Sequence, residues 1–160
     1  MRVGIGYDVH AFAAPDAGRA LVIGGVTIAH DRGLAGHSDA DVLLHAVVDA
    51  LLGAAGLGDI GQYFPSSDAR WKDAPSTAFL THTRDALAQA GWRVANIDAT
   101  VVAEVPRLSP HVAAMRAHLA EALEIAVEQV SVKSKTTDRL GFTGRGEGIA
   151  CYAVALVERA

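Results

Sequence analysis

Asp8 and His10 stand two residues apart in the opening run Met1-Arg-Val-Gly-Ile-Gly-Tyr-Asp-Val-His10, which otherwise reads as a strand. A rise of about 3.3 Å per residue and alternation of faces put both side chains on one side, roughly 7 Å apart at Cα. A carboxylate and an imidazole so placed supply two of the three protein ligands of a catalytic zinc site. They equally suit a structural pair in which Asp8 accepts from a ring N–H of His10. A third ligand is available in His45, if the helix that carries it lies against the first strand. The competing reading makes His45 an ordinary helix histidine paired with Asp41, four residues earlier on the same face.

The elements that must position these residues follow from pattern. Leu21-Val-Ile and Val26-Thr-Ile flank Gly24-Gly25, a hairpin signal. Ser38 with Asp41 three residues on has the form of a capping box, so Ser38 is the expected N-cap of a helix running to about Leu57. His37 then falls just before the cap, where free amides and the helix dipole favour an anion. Residues 58–68 have no clear period and form an ordered loop, either a functional lid or a packed connection.

Ser76 starts a second helix that ends at Gly91. Alternation from Ile97 to Val105 gives a strand that Pro106 stops. Ser109-Pro110 opens a third helix to about Ile125. A short strand over Val130–Ser134 leads to Lys135-Thr-Thr-Asp138, and a glycine-rich loop, 141–148, precedes a last strand from Ile149 to Val157. The order of strands and helices is not a uniform alternation, so the expected fold is α+β: a single-domain layer sandwich of a mixed sheet with helices on one side. The strands carry too few polar faces for an isolated monomer.

A chain of 160 residues suits one domain with a real core. The net charge of −4 and the lack of any basic block argue against nucleic-acid binding. No stretch is long and apolar enough to span a bilayer, no signal peptide precedes the first strand, and one cysteine, Cys151, suits a reducing compartment. A cytoplasmic protein is expected. An anionic substrate would have to be held by local arginines, helix N-termini and bound cations.

Two further stretches have the chemistry for phosphate. The loop 141–148 lacks the lysine of a Walker A motif, yet its amides and Arg145 could cradle an anion; an ordinary glycine-rich hairpin loop is the alternative. Thr136, Thr137 and Asp138 offer hydroxyls and a hard oxygen, which suit a magnesium–phosphate contact or simply a solvated turn.

Taken together, Gly6-Tyr-Asp-Val-His10, His37-Ser-Asp-Ala-Asp-Val-Leu-Leu-His45, Gly58-Asp-Ile-Gly61 and Leu140-Gly-Phe-Thr-Gly-Arg-Gly-Glu-Gly148 resemble the 2-C-methyl-D-erythritol 2,4-cyclodiphosphate synthases of the non-mevalonate isoprenoid pathway. The resemblance spans the chain in the family's order and spacing. It implies a phosphorus–oxygen lyase that releases CMP from a cytidine diphosphate ester by intramolecular phosphoryl transfer. It makes Asp8, His10 and His45 zinc ligands, or ligands of another divalent transition metal. His37 and the Ser38 amide fall on substrate phosphate, and Asp59 with Gly61 on the methylerythritol hydroxyls. Ala103 to Leu108, including Pro106 and Arg107, would form a cytosine pocket with Ser134. Thr136 and Thr137 would hold the diphosphate, and Asp138 would face magnesium or manganese. His37, Asp59 and Thr136 are the candidate catalytic residues.

The resemblance further implies a homotrimer with sites between subunits. Tyr7, Phe142, Arg145 and Glu147 would line its axis, where an isoprenoid diphosphate can sit. Asp138 stands where the family usually has glutamate, Arg107 where it has lysine, Ser66 where aspartate is common, and Tyr7 where phenylalanine is usual. A metal-dependent phosphohydrolase using the same Asp/His/His set is the principal rival, and an isoprenoid-binding module with a decayed site the other.

Overall fold

Alternation along the opening residues becomes β1 (Arg2–Ala11) in the computed structural model, which describes Met1–Ala160. Next come β2 (Leu21–Ile23), β3 (Val26–Ile28), α1 (Val42–Ala55), the one-turn α2 (Ile60–Tyr63) and α3 (Ser76–Gln89). The chain continues through β4 (Trp92–Val102), α4 (Val112–Leu123), β5 (Val130–Lys135), the one-turn α5 (Gly141–Gly144) and β6 (Gly148–Arg159). The main sheet has the order β1-β6-β4-β5; β6 is antiparallel to both neighbours and β4 parallel to β5. The sheet is therefore mixed, and the fold is α+β. The β2–β3 hairpin stands apart from it, and its Gly24 and Gly25 both take positive φ, as the tight primed turns require.

The two faces of the sheet differ. On one, Cys151, Ala153, Ala155 and Val157 of β6 are buried with Ile97, Ala99 and Val101 of β4. The helices cover this face: α1 crosses β1 and β6, α3 packs on α1 and β4, and α4 on β5. Helix α1 is apolar nearly all round, which fits its place between the sheet and α3. On the other face Val3, Ile5, Tyr7 and Val9 of β1 are exposed beside Tyr152 and Val154 of β6. Alternation thus sends Asp8 and His10 toward α1 and Tyr7 away from it.

Small residues let α1 lie close on β1. A Cβ on Gly4 would collide with the Ala50 carbonyl, and one on Gly6 with that of Ala46. Both glycines are needed for the approach of one backbone to another.

The structure corrects several expected boundaries. Ser38 is not the N-cap of α1; Asp41 is, its carboxylate accepting from the amides of Leu43 and Leu44 at 3.1 Å. The same carboxylate accepts from Gly24 and Gly25, so tertiary contacts with the hairpin fix where the helix begins. The helix stops at Ala55 because Gly56 adopts the left-handed conformation and returns its amide to the last turn. Ser109 does not cap α4 either: its hydroxyl accepts from Arg107, and residues 109–111 form a 3-10 turn before the α-helix starts at Val112. Strand β4 begins five residues before Ile97 and ends at Val102, short of Val105. Residues 58–68 contain the turn α2, and α5 occupies the start of the glycine-rich loop.

Candidate functional site

Strand β1 and the first turn of α1 meet at three side chains. Asp8 Oδ2 lies 3.0 Å from His10 Nε2 and 3.1 Å from His45 Nδ1, and the two ring nitrogens are 3.1 Å apart. His45 is not paired with Asp41, whose carboxylate is taken by four backbone amides. His10 is held from behind: its Nδ1 lies 2.8 Å from the Ala35 carbonyl, which can only accept, so Nδ1 carries the proton and donates it. In neutral His10 this leaves the Nε2 lone pair aimed at Asp8 and His45. His45 is nearly buried, its ring stacked on Phe79 with centroids 5.8 Å apart.

The electrostatics of this cluster call for a cation. Burial, the largest influence on Asp8, opposes its charge. The neighbouring imidazoles of His10 and His45 outweigh burial, and the carboxyl ends far below its ordinary range. Burial likewise disfavours protonated His10, but the bond to Asp8 and its charge prevail and raise the imidazole. A cationic species among these atoms is therefore favoured. A divalent metal also fits: one carboxylate and two imidazole donors lie within 4.8 Å of one another. Tetrahedral ligands about 2.0–2.1 Å from zinc stand roughly 3.3 Å apart, close to the spacing found.

A cavity of about 260 Å³ opens beside the cluster. His10, His45, His37, Ser38, Gly61 and Ser66 reach it, with an aromatic wall of Phe64, Trp71 and Phe79. Phe64 and Phe79 stack at 4.4 Å, and Trp71 meets both edge-on. Nothing periodic in the sequence marks this wall. His37 Nε2 donates to the Asp68 carbonyl at 3.1 Å. His37 does not sit at a free helix N-terminus as expected, because Asp41 is the anion that occupies the start of α1. Asp59 N-caps α2, accepting from the Gln62 amide and side chain at 3.0 Å, beside Ile60 and Gly61 of the cavity wall. The Ile60 amide donates to Asp49 on α1, which ties this turn to the central helix.

A second cavity, of about 290 Å³, lies at the ends of β4 and β5 and is lined by Ala103, Pro106, Arg107, Leu108, Ser134 and Thr136. It gathers the residues expected to surround cytosine. It shares no lining residue with the cavity beside His45. Asp138 is exposed, takes positive φ and accepts from Thr136 at 3.3 Å.

A third cavity, of about 450 Å³, opens on the far face of the sheet, where Tyr7, Tyr152, Leu140 and Phe142 provide apolar walls. Thr137 also lines it, its hydroxyl donating to the Leu140 carbonyl. Arg145 and Glu147 do not line it; they pair with each other at 2.6 Å. The phosphate cradle considered for residues 141–148 is not formed. The amides of Gly144, Arg145, Gly146 and Glu147 donate to carbonyls of residues 140–143, and the guanidinium of Arg145 is engaged by Glu147.

The model of the YgbB family extends over this mixed sheet, its covering helices and the Asp/His/His cluster where the first strand meets the central helix. The chain belongs to that family, whose model matches residues 1–158. It is 59% identical over 160 residues, the full length of both chains, to 2-C-methyl-D-erythritol 2,4-cyclodiphosphate synthase of Syntrophomonas wolfei subsp. wolfei. Among solved structures, it superposes with a TM-score of 0.85 and 34% identity on IspF of Plasmodium falciparum in a CDP complex, covering 99% of this chain and 96% of that one. The bifunctional IspDF of Campylobacter jejuni matches with a TM-score of 0.94 and 40% identity over 99% of this chain. The chain spans 42% of that longer protein.

Proposed function

We propose that this protein converts 4-diphosphocytidyl-2-C-methyl-D-erythritol 2-phosphate into 2-C-methyl-D-erythritol 2,4-cyclodiphosphate and CMP. Family membership and full-length relatives of that name support the reading. The observation that carries it is the convergence of Asp8, His10 and His45 at the mouth of a cavity that His37, Ser38 and Gly61 also reach.

In this reading an oxygen of the 2-phosphate attacks the β-phosphorus, the bond from that phosphorus to the CMP oxygen breaks, and the ring closes. No protein nucleophile is needed. Cys151 is buried in the core and takes no part. Asp8, His10 and His45 would hold zinc or another divalent transition metal, and Asp138 would face magnesium or manganese. Such cations, when bound, supply Lewis-acid neutralisation of the crowded phosphate oxygens. The chain's residues do the positioning, which is the larger share of such a reaction. His37 and the Ser38 amide would hold the 2-phosphate, and Asp59 with Gly61 the methylerythritol hydroxyls. Ala103, Pro106, Arg107, Leu108 and Ser134 would enclose cytosine, and Thr136 and Thr137 the diphosphate.

The two cavities needed for one substrate share no wall within a chain, and one sheet face is apolar and exposed. Both facts support a homotrimer in which one subunit supplies the metal and its neighbour the nucleotide pocket. The third cavity would then face the axis. Tyr7 and Phe142 offer contacts for an isoprenoid diphosphate there, with Arg145 at its margin. No helix is long and apolar enough to cross a membrane.

The test is product analysis by phosphorus NMR with the purified protein, zinc and magnesium. One cyclic diphosphate per CMP is the expected outcome. CMP with a linear bisphosphate, or with free phosphate, would establish a hydrolase instead.

A further inference from the structure

The ring nitrogen of His45 that faces away from Asp8 has its own partners. His45 Nε2 lies 2.8 Å from Ser76 Oγ and 3.2 Å from Ser38 Oγ. Ser76 opens α3, is fully buried, and donates its hydroxyl proton to Asp39. The other carboxylate oxygen of Asp39 accepts from the Ser76 amide at 2.9 Å. Asp39 thus grips both donors of the residue that begins α3.

These directions leave one consistent arrangement. A serine hydroxyl has a single proton, and Asp39 takes it. Toward His45, Ser76 therefore presents lone pairs, and the imidazole must donate from Nε2. Neutral His45 then carries no proton on Nδ1, and that lone pair faces Asp8 and His10.

We infer that Ser76 and Asp39 are positioning residues that fix the tautomer and ring orientation of His45 and thereby set the metal affinity of the Asp8/His10/His45 cluster. The inference rests on the metal reading of that cluster given above. Outer partners that orient a ligating histidine change metal affinity by about 10–100-fold when removed. Here the chain has a further consequence: Asp39 and Ser76 are 37 residues apart, so the start of α3 must be docked before His45 is held in its ligating form. A displacement of α3 would be felt at the metal cluster through Ser76 and at the substrate cavity through Phe79.

The test begins with zinc titrations of the parent protein, Ser76→Ala, Ser76→Thr and Asp39→Asn against a chromophoric chelator. Ser76→Ala is expected to lose at least about tenfold in zinc affinity, Asp39→Asn to lose less, and Ser76→Thr, which restores the hydroxyl, to recover most of the loss. Cobalt substitution should show altered visible bands in Ser76→Ala and parental bands in Ser76→Thr. A folded Ser76→Ala with zinc affinity within twofold of the parent overturns the inference. Failure of the parent to bind zinc at all overturns the metal reading itself, which keeps the two failures distinct. Should Ser76→Ala not fold, nitrogen-15 NMR of the metal-free parent decides: His45 protonated on Nε2 supports the relay, and His45 protonated on Nδ1 alone contradicts it.

Discussion

Asp41 and Gly24 are joined by a 2.9 Å hydrogen bond from the hairpin amide to a fully buried carboxylate, and that bond locks the start of α1 onto the β2–β3 turn. The same carboxylate accepts from Gly25 at 2.7 Å and from Leu43 and Leu44 at 3.1 Å. His45 follows one turn later, so Asp41 also sets where that imidazole sits. Asp41→Ala would strand four amides and remove a helix cap, with an expected loss of about 3 kcal/mol or more. Asp41→Asn keeps the shape and part of the acceptor capacity and should cost less. Urea unfolding measures both. A loss under about 0.5 kcal/mol for the alanine variant, the range of ordinary surface substitutions, would remove Asp41 from this role.

Close approach of β1 and α1 gives a second expectation. The Cβ of Gly6→Ala would overlap the Ala46 carbonyl and stand 2.7 Å from the Ala50 amide nitrogen. Both are backbone, so relief requires moving the helix rather than a side chain. Overpacking of this kind costs about 1–3 kcal/mol or more. Because His45 rides on α1 and Asp8 on β1, zinc affinity should fall together with stability. Parental zinc binding in a destabilised variant would separate the packing from the metal cluster.

The ion pair in the cluster also sets a pH dependence for the metal-free protein. Asp8, depressed, contributes stability above its ordinary pKa of about 3.9 and loses it as pH falls through the lowered value. His10, raised, contributes fully below about 6.5 and loses that contribution as pH rises through the folded value. The stabilisation shared by the pair is therefore greatest between about pH 4 and pH 6.5. The difference in melting temperature between metal-free parent and Asp8→Asn should peak in that window and shrink toward pH 9. A difference that grew steadily with pH would contradict the pairing.

Cys151 lies in β6 with no exposed surface. Burial pushes its thiol well above the ordinary range, and the charges of Asp41 and Asp8 push it further. The thiolate is the reactive species, so the native protein should resist a disulfide reagent at pH 8 and react with one equivalent only in denaturant. Rapid modification of the folded protein would show that the core opens there.

The elements most legible in the sequence are those whose signal is local. Alternation in β1 placed Asp8 and His10 on one face, and Gly24-Gly25 marked the hairpin. The start of α1 was misplaced because Ser38 and Asp41 have the spacing of a capping box, whereas the deciding donors on Asp41 include amides of a hairpin 16 and 17 residues away. The turn α5 is hidden in the sequence because four glycines in eight residues read as an open loop, though its amides close on neighbouring carbonyls. Ser76 was legible only as a helix start. Its bonds to His45 and Asp39 arise from the packing of α3 on α1, and no spacing in the sequence reports that. Family resemblance carried the residues around both cavities, whereas the wall of Phe64, Trp71 and Phe79 needed the fold.

The most direct test of the metal-dependent synthase is CMP release measured on one preparation before chelation, after chelation and after zinc is returned, with magnesium present throughout. Release should fall to background in the chelated protein and recover when about one zinc per chain is restored. Neither His45→Ala nor Asp8→Ala should recover. Undiminished formation of CMP and cyclic product by protein stripped of transition metal would contradict the account.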